Sequence, residues 1–292
     1  MAVVTAFIDW HTHVWLPEHL GEFGRGLDVA GQELAHRCWS GEGSHDDHDL
    51  AMRRSGVDGF IVLGLCSRFL ELDIPNDYIA EQVRRHPGRA VGVGSVDPND
   101  PDALTELKRL RLELGLQGLK LSPPYQDFHP HSAEAWAIYE LADQQEMFLL
   151  FHQGSVFHPK CSIENANPVL LDRVASAFPR MRIIICHCGQ PWTNETVMLM
   201  ARHPNVYTDI SARLNRPWQL HTMLMNATDY RVTDKILFGS DFPVFQPDEA
   251  RDQLLTLNQR LPGLPTVPDA VIDGILFERP FSLLGIDPAA NH

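Results

Sequence analysis

The chain alternates short apolar runs with helical stretches along nearly its whole length. Runs that are apolar on both faces suit parallel strands covered by helices. Eight such units in 292 residues favour an α/β fold, a (β/α)8 TIM barrel, over an open doubly wound sheet. The eight runs read AFID, GFIVLGLC, AVGVGSV, GLKLS, MFLLFH, RIIICH, VYTDIS and KILFGSD.

Nothing in the sequence divides the chain into parts. No Pro/Gly/Ser-rich linker, compositional break or repeat interrupts it, so we predict a single barrel domain over residues 1–292. Two connections, Pro17 to Asp49 and Gln153 to Asn167, are longer than ordinary strand-to-helix loops. We expect them to form walls or lids over a site.

The charge balance excludes several classes of partner. Lys and Arg number 24 against 38 Asp and Glu, and the net charge of −14 repels phosphate backbones and anionic membrane surfaces. We therefore predict a small-molecule substrate and no nucleic-acid or membrane partner, and a homo-oligomer stays open. The sequence shows no signal peptide and no long apolar run, which indicates a cytoplasmic protein. Five scattered cysteines are typical of reduced thiols.

Polar side chains stand at the ends of several of the predicted strands. His11 and His13 end the first, His152 the fifth, His187 the sixth and Asp241 the eighth. In a parallel barrel all these strand ends open on one face. Residues i and i+2 of a strand point the same way, so His11 and His13 can reach one ion. Imidazole and carboxylate groups suit Zn²⁺ or another divalent first-row metal.

A simpler interpretation exists for each residue taken alone. A single histidine at a strand end is more often a hydrogen-bonded core residue than a ligand, and an isolated His-x-His motif is weak evidence. Five such residues that converge on one face are hard to explain as separate accidents. Their joint pattern therefore favours a metal site.

At these residues the chain resembles the amidohydrolase superfamily, specifically its amidohydrolase-related group of hydrolases, lactonases and nonoxidative decarboxylases. The resemblance rests on DWHTH, GLKLSPPYQDFHP, FLLFHQG, IIICHCGQPW, HPNVYTDIS and ILFGSDFP and covers nearly the whole chain. It implies a mononuclear metal barrel in which His11, His13 and His152 are ligands. By the same resemblance Asp241 is a ligand and the proton acceptor, and His187 polarises the substrate or acts as an acid.

Lys120, at the end of the fourth predicted strand, bears on the metal count. Binuclear relatives carry a carbamylated lysine there, which bridges two metals. The alternative is an unmodified lysine that orients a substrate carboxylate. The neighbouring LSPPYQ text resembles the mononuclear group, so we predict one metal ion, with Zn²⁺ as the preferred element, and a substrate-binding Lys120.

Other residues near strand ends have weaker signals. Trp192, Phe242 and Arg213 follow strands six, eight and seven and can line a pocket, where an arginine suits an anionic substrate. The segment SHDDHD at 44–49 reads as the capped start of a helix rather than a second metal cluster. Cys186 and Cys188, which flank His187, are expected to face away from it as packed small side chains.

The predicted reaction follows from the metal. A bound divalent ion lowers the pKa of a coordinated water, and Asp241 accepts the water's proton while His187 helps to polarise a carbonyl. This scheme fits hydrolysis of a lactone, an ester or an amide. Two rivals stay open: a nonoxidative decarboxylase with the same ligands, and a non-catalytic barrel with a closed metal site.

Overall fold

A computed structural model describes residues 6–24 and 43–290 of the chain. Within them, eight parallel strands form the predicted barrel, which confirms the (β/α)8 fold. Part of the predicted wall at Pro17 to Asp49, with Cys38, lies outside the described residues. The strands are β1 (Ile8–His13), β2 (Gly59–Leu63), β5 (Ala90–Ser95), β6 (Gly118–Leu121), β7 (Phe148–Phe151), β8 (Ile183–Ile185), β9 (Val206–Asp209) and β10 (Ile236–Leu237), with an antiparallel side pair β3 (Cys66–Ser67) and β4 (Leu72–Asp73).

Helices alternate with these strands and cover the outside of the barrel. Ser44 caps the first helix by accepting a hydrogen bond from the Asp47 backbone N–H, as the SHDDHD segment predicts. Among the described helices, none is long and apolar enough to cross a membrane. The helices are α1 (His45–Ser55), α2 (Asn76–Arg85), α3 (Ala103–Leu112), α4 (Ala133–Gln144), α5 (Asp172–Ala177), α6 (Thr193–Arg202), α7 (Pro217–Asp229), α8 (Pro247–Leu255), α9 (Leu257–Arg260) and α10 (Asp269–Phe277).

Backbone hydrogen bonds join the last strand region to the first. The Trp10 N–H donates to the Phe238 carbonyl at 2.9 Å and the His13 N–H to the Phe242 carbonyl at 2.7 Å. The Asp241 N–H donates to the His11 carbonyl at 2.8 Å. The eighth barrel strand and the loop after it are therefore held directly against the histidine-bearing strand.

The interior of the barrel is apolar in its lower half. Alternate residues of the strands point inward, and the segment from Phe281 to Ile286 packs beneath them, with the Phe281 ring 5.4 Å from the Trp10 ring. This leaves the opposite end, at the carboxyl ends of the strands, for the polar residues. The inward apolar group includes Ile8, Trp10, Ile61, Leu63, Val91, Val93, Phe148, Leu150, Ile184, Cys186, Tyr207 and Leu237.

A register shift in β1 changes which side chains point inward. The pairing of β1 with β2 is irregular between Asp9 and Thr12. Trp10 lies in the apolar interior, yet the next residue, His11, also faces the barrel axis, whereas Thr12 bonds outward to the buried His48. A bulge of this kind re-aims side chains. It lets one strand supply both the apolar interior and the pair of histidines above it.

Candidate metal centre

Three side chains converge where β1 and the loop after β10 meet. The Nε2 atoms of His11 and His13 lie 3.3 Å apart. Asp241 Oδ1 lies 3.2 Å from His11 Nε2 and 3.6 Å from His13 Nε2. The structure thus brings together three of the residues that the strand-end pattern singles out.

Local backbone geometry makes this convergence sterically feasible. A Cβ at Gly239 would lie 2.7 Å from His11 Cβ and 3.0 Å from Ser211 Cβ, so only glycine lets the chain after β10 approach β1 so closely. Asp241 follows with a φ of +67°, a left-handed conformation that few residues other than glycine adopt. Such conformations concentrate at functional sites, where the surrounding structure holds them in place.

Hydrogen bonds to the other ring nitrogens define the orientation of both histidines. His11 Nδ1 lies 2.9 Å from Asp209 Oδ2, and His13 Nδ1 lies 3.1 Å from the Leu63 carbonyl oxygen. Both partners accept hydrogen bonds, so each Nδ1 carries a proton. Burial lowers the pKa of His13 to about 3, which leaves its Nε2 unprotonated. Burial also lowers the pKa of His11, but the charge of the adjacent Asp209 carboxylate raises it more, so the pKa of His11 lies well above its usual value. Two Nε2 lone pairs that face each other repel unless a cation or a proton lies between them. The donor set therefore fits a divalent metal ion.

Asp209, at the end of β9, is the central acceptor beneath this cluster. Its Oδ1 accepts hydrogen bonds from the backbone N–H groups of His187 and Ser211, both at 3.0 Å, and from the Ser211 hydroxyl. Burial raises the pKa of Asp209, but the charge and the hydrogen bond of His11 lower it by more. The pKa of Asp209 therefore lies well below its usual range. Asp209 is thus a fully buried carboxylate that orients His11.

His187 reaches the site through a sharp turn after β8. It lies in the 3₁₀ segment Cys186–Gly189, where His187 and Cys188 have positive φ values of 58° and 57°. Its ring packs 4.9 Å from the rings of His11 and His152. Burial lowers the pKa of His187 to about 3, so the ring is neutral at pH 7. Its Nδ1 lies 3.1 Å from the Ser211 carbonyl oxygen, which leaves Nε2 unprotonated.

This turn corrects one prediction from the sequence. The alternation of neighbours along a strand predicts that Cys186 and His187 face opposite sides. That prediction is wrong, since β8 ends at Ile185 and the left-handed turn brings His187 back over the barrel. Cys186 lies in the barrel interior and Cys188 packs in the outer core layer.

His152 lies beside the cluster but outside the three converging donors. Its Nε2 is 3.1 Å from the Ser155 carbonyl oxygen, and its ring packs 4.7 Å from Tyr125. Burial lowers the pKa of His152 well below its ordinary value, and the charge of the nearby His187, when that ring is protonated, lowers it as well. The ring is therefore neutral and available as a nitrogen donor, while its role as a ligand remains a prediction.

The four residues predicted to contact substrate occupy different environments. Lys120 is buried below the histidines, with Nζ 2.9 Å from Cys186 Sγ. Arg213 is buried, and its Nη1 donates to the Ser155 hydroxyl at 3.3 Å. Trp192 is half-buried at the start of α6. The Phe242 ring is buried 5.4 Å from the ring of His48, on the outward side of β1.

The two long connections meet on this face of the molecule. Lys160, in the predicted lid segment, forms an ion pair at 2.9 Å with Glu22, from the connection after β1. Ser155, in the same lid segment, contacts both His152 and Arg213. The described parts of both connections therefore lie over the polar end of the barrel.

The sequence of the whole barrel identifies its family. Residues 8–278 match the sequence profile of the amidohydrolase family, which is most of the chain. The chain belongs to the amidohydrolase family. No curated protein sequence matches this amidohydrolase.

Solved structures share the fold of this amidohydrolase at low sequence identity. An uncharacterised TIM-barrel protein from Bordetella bronchiseptica is 21% identical, with a TM-score of 0.73 over 96% of this chain and 100% of its own. A dihydroxybenzoic acid decarboxylase from Polaromonas, with bound manganese and the inhibitor 2-nitroresorcinol, is 17% identical, with a TM-score of 0.69 over 96% and 97%. A Pseudomonas putida protein described as a 2-pyrone-4,6-dicarboxylic acid hydrolase is 20% identical, with a TM-score of 0.66 over 97% and 98%.

Two residues of this amidohydrolase site, Asp209 and Tyr125, were not predicted from the polar residues at the strand ends. Asp209 ends β9 within VYTDIS, so the same pattern applied to the seventh barrel strand would have included it. Tyr125, buried against His152, lies in the loop after β6 and carries no such signal in the sequence. Its place in the site depends on how that loop folds.

Proposed function

We propose that this protein is a metal-dependent hydrolase that acts on a small organic substrate, a lactone, an ester or an amide. The observation that carries the proposal is the convergence of the His11 and His13 Nε2 atoms with the Asp241 carboxylate. We propose one divalent ion per chain, Zn²⁺ before other first-row metals, because imidazole and carboxylate donors suit it.

His11, His13 and Asp241 would hold this ion, with His152 as a further ligand on the family resemblance. A bound divalent ion supplies two kinds of chemistry here, a lower pKa for a coordinated water and polarisation of a carbonyl oxygen. The low pKa values of His13 and His152, caused first by burial, keep both rings unprotonated at neutral pH. His13 and His152 thus present neutral nitrogen donors, whereas His11, whose pKa the Asp209 charge raises despite its burial, would release its Nε2 proton when an ion binds.

Asp241 is the proposed proton carrier. Burial raises its pKa, but the hydrogen bond and charge of His11 lower it more, so the side chain is a carboxylate at pH 7. It lies at the mouth of the site, with 13% of its side chain exposed, where a water can reach it. Asp241 would accept a proton from the attacking water and return it to the leaving group.

The neutral His187 ring cannot donate a hydrogen bond to a substrate from Nε2. Its Nδ1 proton is directed to the Ser211 carbonyl, so Nε2 of the neutral ring accepts hydrogen bonds and does not donate them. We propose that His187 takes up a proton from solvent at Nε2 as negative charge develops on the substrate, because a nearby negative charge raises the pKa of an imidazole. The neutral ring would otherwise serve as a further nitrogen donor, as the closed-site alternative requires.

Arg213 points to a substrate that carries a carboxylate. Its guanidinium is buried, its Nε has no hydrogen-bond partner, and no carboxylate of the described residues lies within ion-pair distance of it. Burying a cation without a counter-ion is costly. An anionic group of the substrate would complete the site by bidentate pairing. Lys120, Trp192 and Phe242 remain predicted contacts with the substrate.

A panel of substrates tests this proposal. Lactones, esters, amides and aromatic carboxylic acids would be incubated with the purified, metal-replete protein while acid and CO2 release are followed. Acid release without CO2 is the expected result. The Arg213→Met variant should lose its preference for a carboxylate substrate over the matching uncharged methyl ester. Arg202→Met should keep it, because Arg202 pairs with Asp172 on the outer helices. No turnover by metal-replete protein on any class would favour the non-catalytic barrel.

Nonoxidative decarboxylation is the second candidate function. The solved structures of similar fold include the Polaromonas decarboxylase, and a buried Arg213 equally suits a substrate whose carboxylate is retained or lost. CO2 release from an aromatic carboxylic acid, with no acid released from lactones or esters, would replace the hydrolase proposal by this one.

A further inference from the structure

Lys120 and Cys186 form a pair inside the barrel, and no step of the proposed reaction uses the contact between them. Lys120 Nζ lies 2.9 Å from Cys186 Sγ, and the two residues are 1% and 0% exposed. An N–H···O hydrogen bond is typically about 2.9–3.0 Å long, and sulfur is larger than oxygen. The amine nitrogen and the sulfur are therefore in close contact, with no atom between them.

The surroundings give the ammonium no better partner. The described residues place no carboxylate within ion-pair distance of Lys120, and the Cys186 sulfur is the side-chain atom that its Nζ contacts among them. A buried ammonium that faces a weak acceptor is an unfavourable arrangement. A reaction that bonds the two side chains and removes the positive charge of Lys120 is therefore favoured, because burial penalises that charge.

We propose that Lys120 and Cys186 are a site of oxidative modification, where a peroxide joins the two side chains through a sulfur–nitrogen bond. In the first step the Cys186 thiol is oxidised to a sulfenic acid and the peroxide O–O bond breaks, with water or an alcohol as the reduced product. Sulfenic acids condense with nearby nitrogen nucleophiles. Here the nucleophile is already in contact with the sulfur.

The second step needs no further oxidant. Lys120, after its ammonium loses one proton to solvent, attacks the sulfur with its lone pair. The S–N bond forms, the S–O bond breaks, and hydroxide leaves with a proton from the amine as water. The product is a sulfenamide that lacks two hydrogen atoms relative to the reduced protein. It places an uncharged link below the histidine cluster.

Cys188 is a matched internal control two residues away. It is equally buried, but its sulfur donates to the Asp209 carbonyl oxygen at 3.4 Å and contacts no amine. Trypsin would release both cysteines within residues 183–202 and would cut after Lys120 only if its amine is free. A cross-link therefore joins residues 112–160, uncut at Lys120, to residues 183–202.

The experiment treats the full-length protein, with and without added Zn²⁺, with hydrogen peroxide, followed by catalase, unfolding and alkylation of free thiols. The expected result is an intact mass that is lower by two hydrogen atoms before alkylation and lacks one alkyl group after it. Tryptic digestion should give the cross-linked peptide pair with Cys188 still alkylated, and dithiothreitol should reverse the link. Lys120→Met and Cys186→Ala should each abolish the product. Both variants need only enough folded protein for mass spectrometry, and circular dichroism would confirm the fold.

Three outcomes would overturn the proposal. In the first, Cys186 remains fully open to alkylation. In the second, Cys186 is recovered as a sulfinic acid and trypsin cleaves normally after Lys120. In the third, the Lys120→Met protein shows the same loss of mass. The readout is a mass and does not depend on any substrate, so its failure is distinct from failure of the proposed hydrolase function.

Discussion

Asp209 Oδ2 accepts a hydrogen bond from His11 Nδ1 at 2.9 Å, across 198 positions of sequence. A carboxylate behind a metal-binding imidazole fixes its tautomer and raises its basicity. We predict that Asp209→Asn weakens metal affinity about 10- to 100-fold, the range for such outer partners. Competition with a chelating dye would measure it.

Asp172 provides the matched control for this variant. It pairs with His203 Nε2 at 2.7 Å on the outer helices, so it repeats the Asp–His contact away from the site. Asp172→Asn should leave metal affinity unchanged. Equal affinities for Asp209→Asn and the parent protein would show that Asp209 does not support the metal.

The His11 and His13 pair predicts the metal content of the protein. Each purified chain should carry about one equivalent of divalent metal, and His11→Ala and His13→Ala should both lose it because the two Nε2 atoms belong to one donor set. Elemental analysis after dialysis would measure the content, with His203→Ala as a control that retains the ion. Full retention in both site variants would refute the assignment.

Variants of Asp241 and His187 should lower turnover without removing the bound metal. Asp241→Asn keeps an oxygen donor but removes the base, so turnover on an identified substrate should fall by roughly 10² or more while much of the metal remains. His187→Asn should also keep the metal and lower turnover through lost stabilisation of the transition state. Metal analysis and steady-state kinetics on both variants would decide this.

The opposite outcomes are equally informative. A metal-free His187→Asn protein would make His187 a structural ligand and would favour the closed, non-catalytic site. Undiminished turnover in Asp241→Asn would remove the proton-carrier role from Asp241.

His48 predicts how stability depends on pH. Burial lowers the pKa of His48 from 6.5 to about 3 in the folded protein. Below pH 6.5 the unfolded chain therefore binds a proton that the folded chain does not, and stability falls as pH decreases towards 3. One such group contributes up to about 1.4 kcal/mol per pH unit.

The non-titrating variant His48→Gln isolates this contribution. Its free energy of unfolding should fall less steeply between pH 6 and 4, by up to about 1.4 kcal/mol per pH unit. Denaturant titrations at several pH values would compare the two slopes. Parallel curves for the variant and the parent would mean that His48 does not titrate as its burial predicts.

Much of this architecture is determined by the sequence alone. Eight apolar runs with helices between them specify a parallel barrel, because strands that are apolar on both faces must be covered on both sides. The barrel then places the carboxyl ends of its strands on one face. Strand-end residues as distant as His11 and Asp241 therefore meet without any further information.

Only the tertiary structure determines how these side chains are aimed. Strand alternation alone would turn Trp10 and His11 to opposite sides, and the irregular register after Asp9 lets both face the barrel axis. The left-handed turn after Ile185 returns His187 to the site and leaves Cys186 against Lys120. Such bulges and turns depend on backbone contacts with neighbouring strands, which no local sequence pattern encodes.

The same limit applies to hydrogen-bond partners. The pairing of Asp209 with His11 and the close approach of Gly239 to His11 depend on which strands close the barrel and at what register. The sequence fixes which residue types reach the polar end of the barrel. Their distances, tautomers and pKa values arise from packing between strands far apart in the chain, because burial and partner charge are properties of the assembled site.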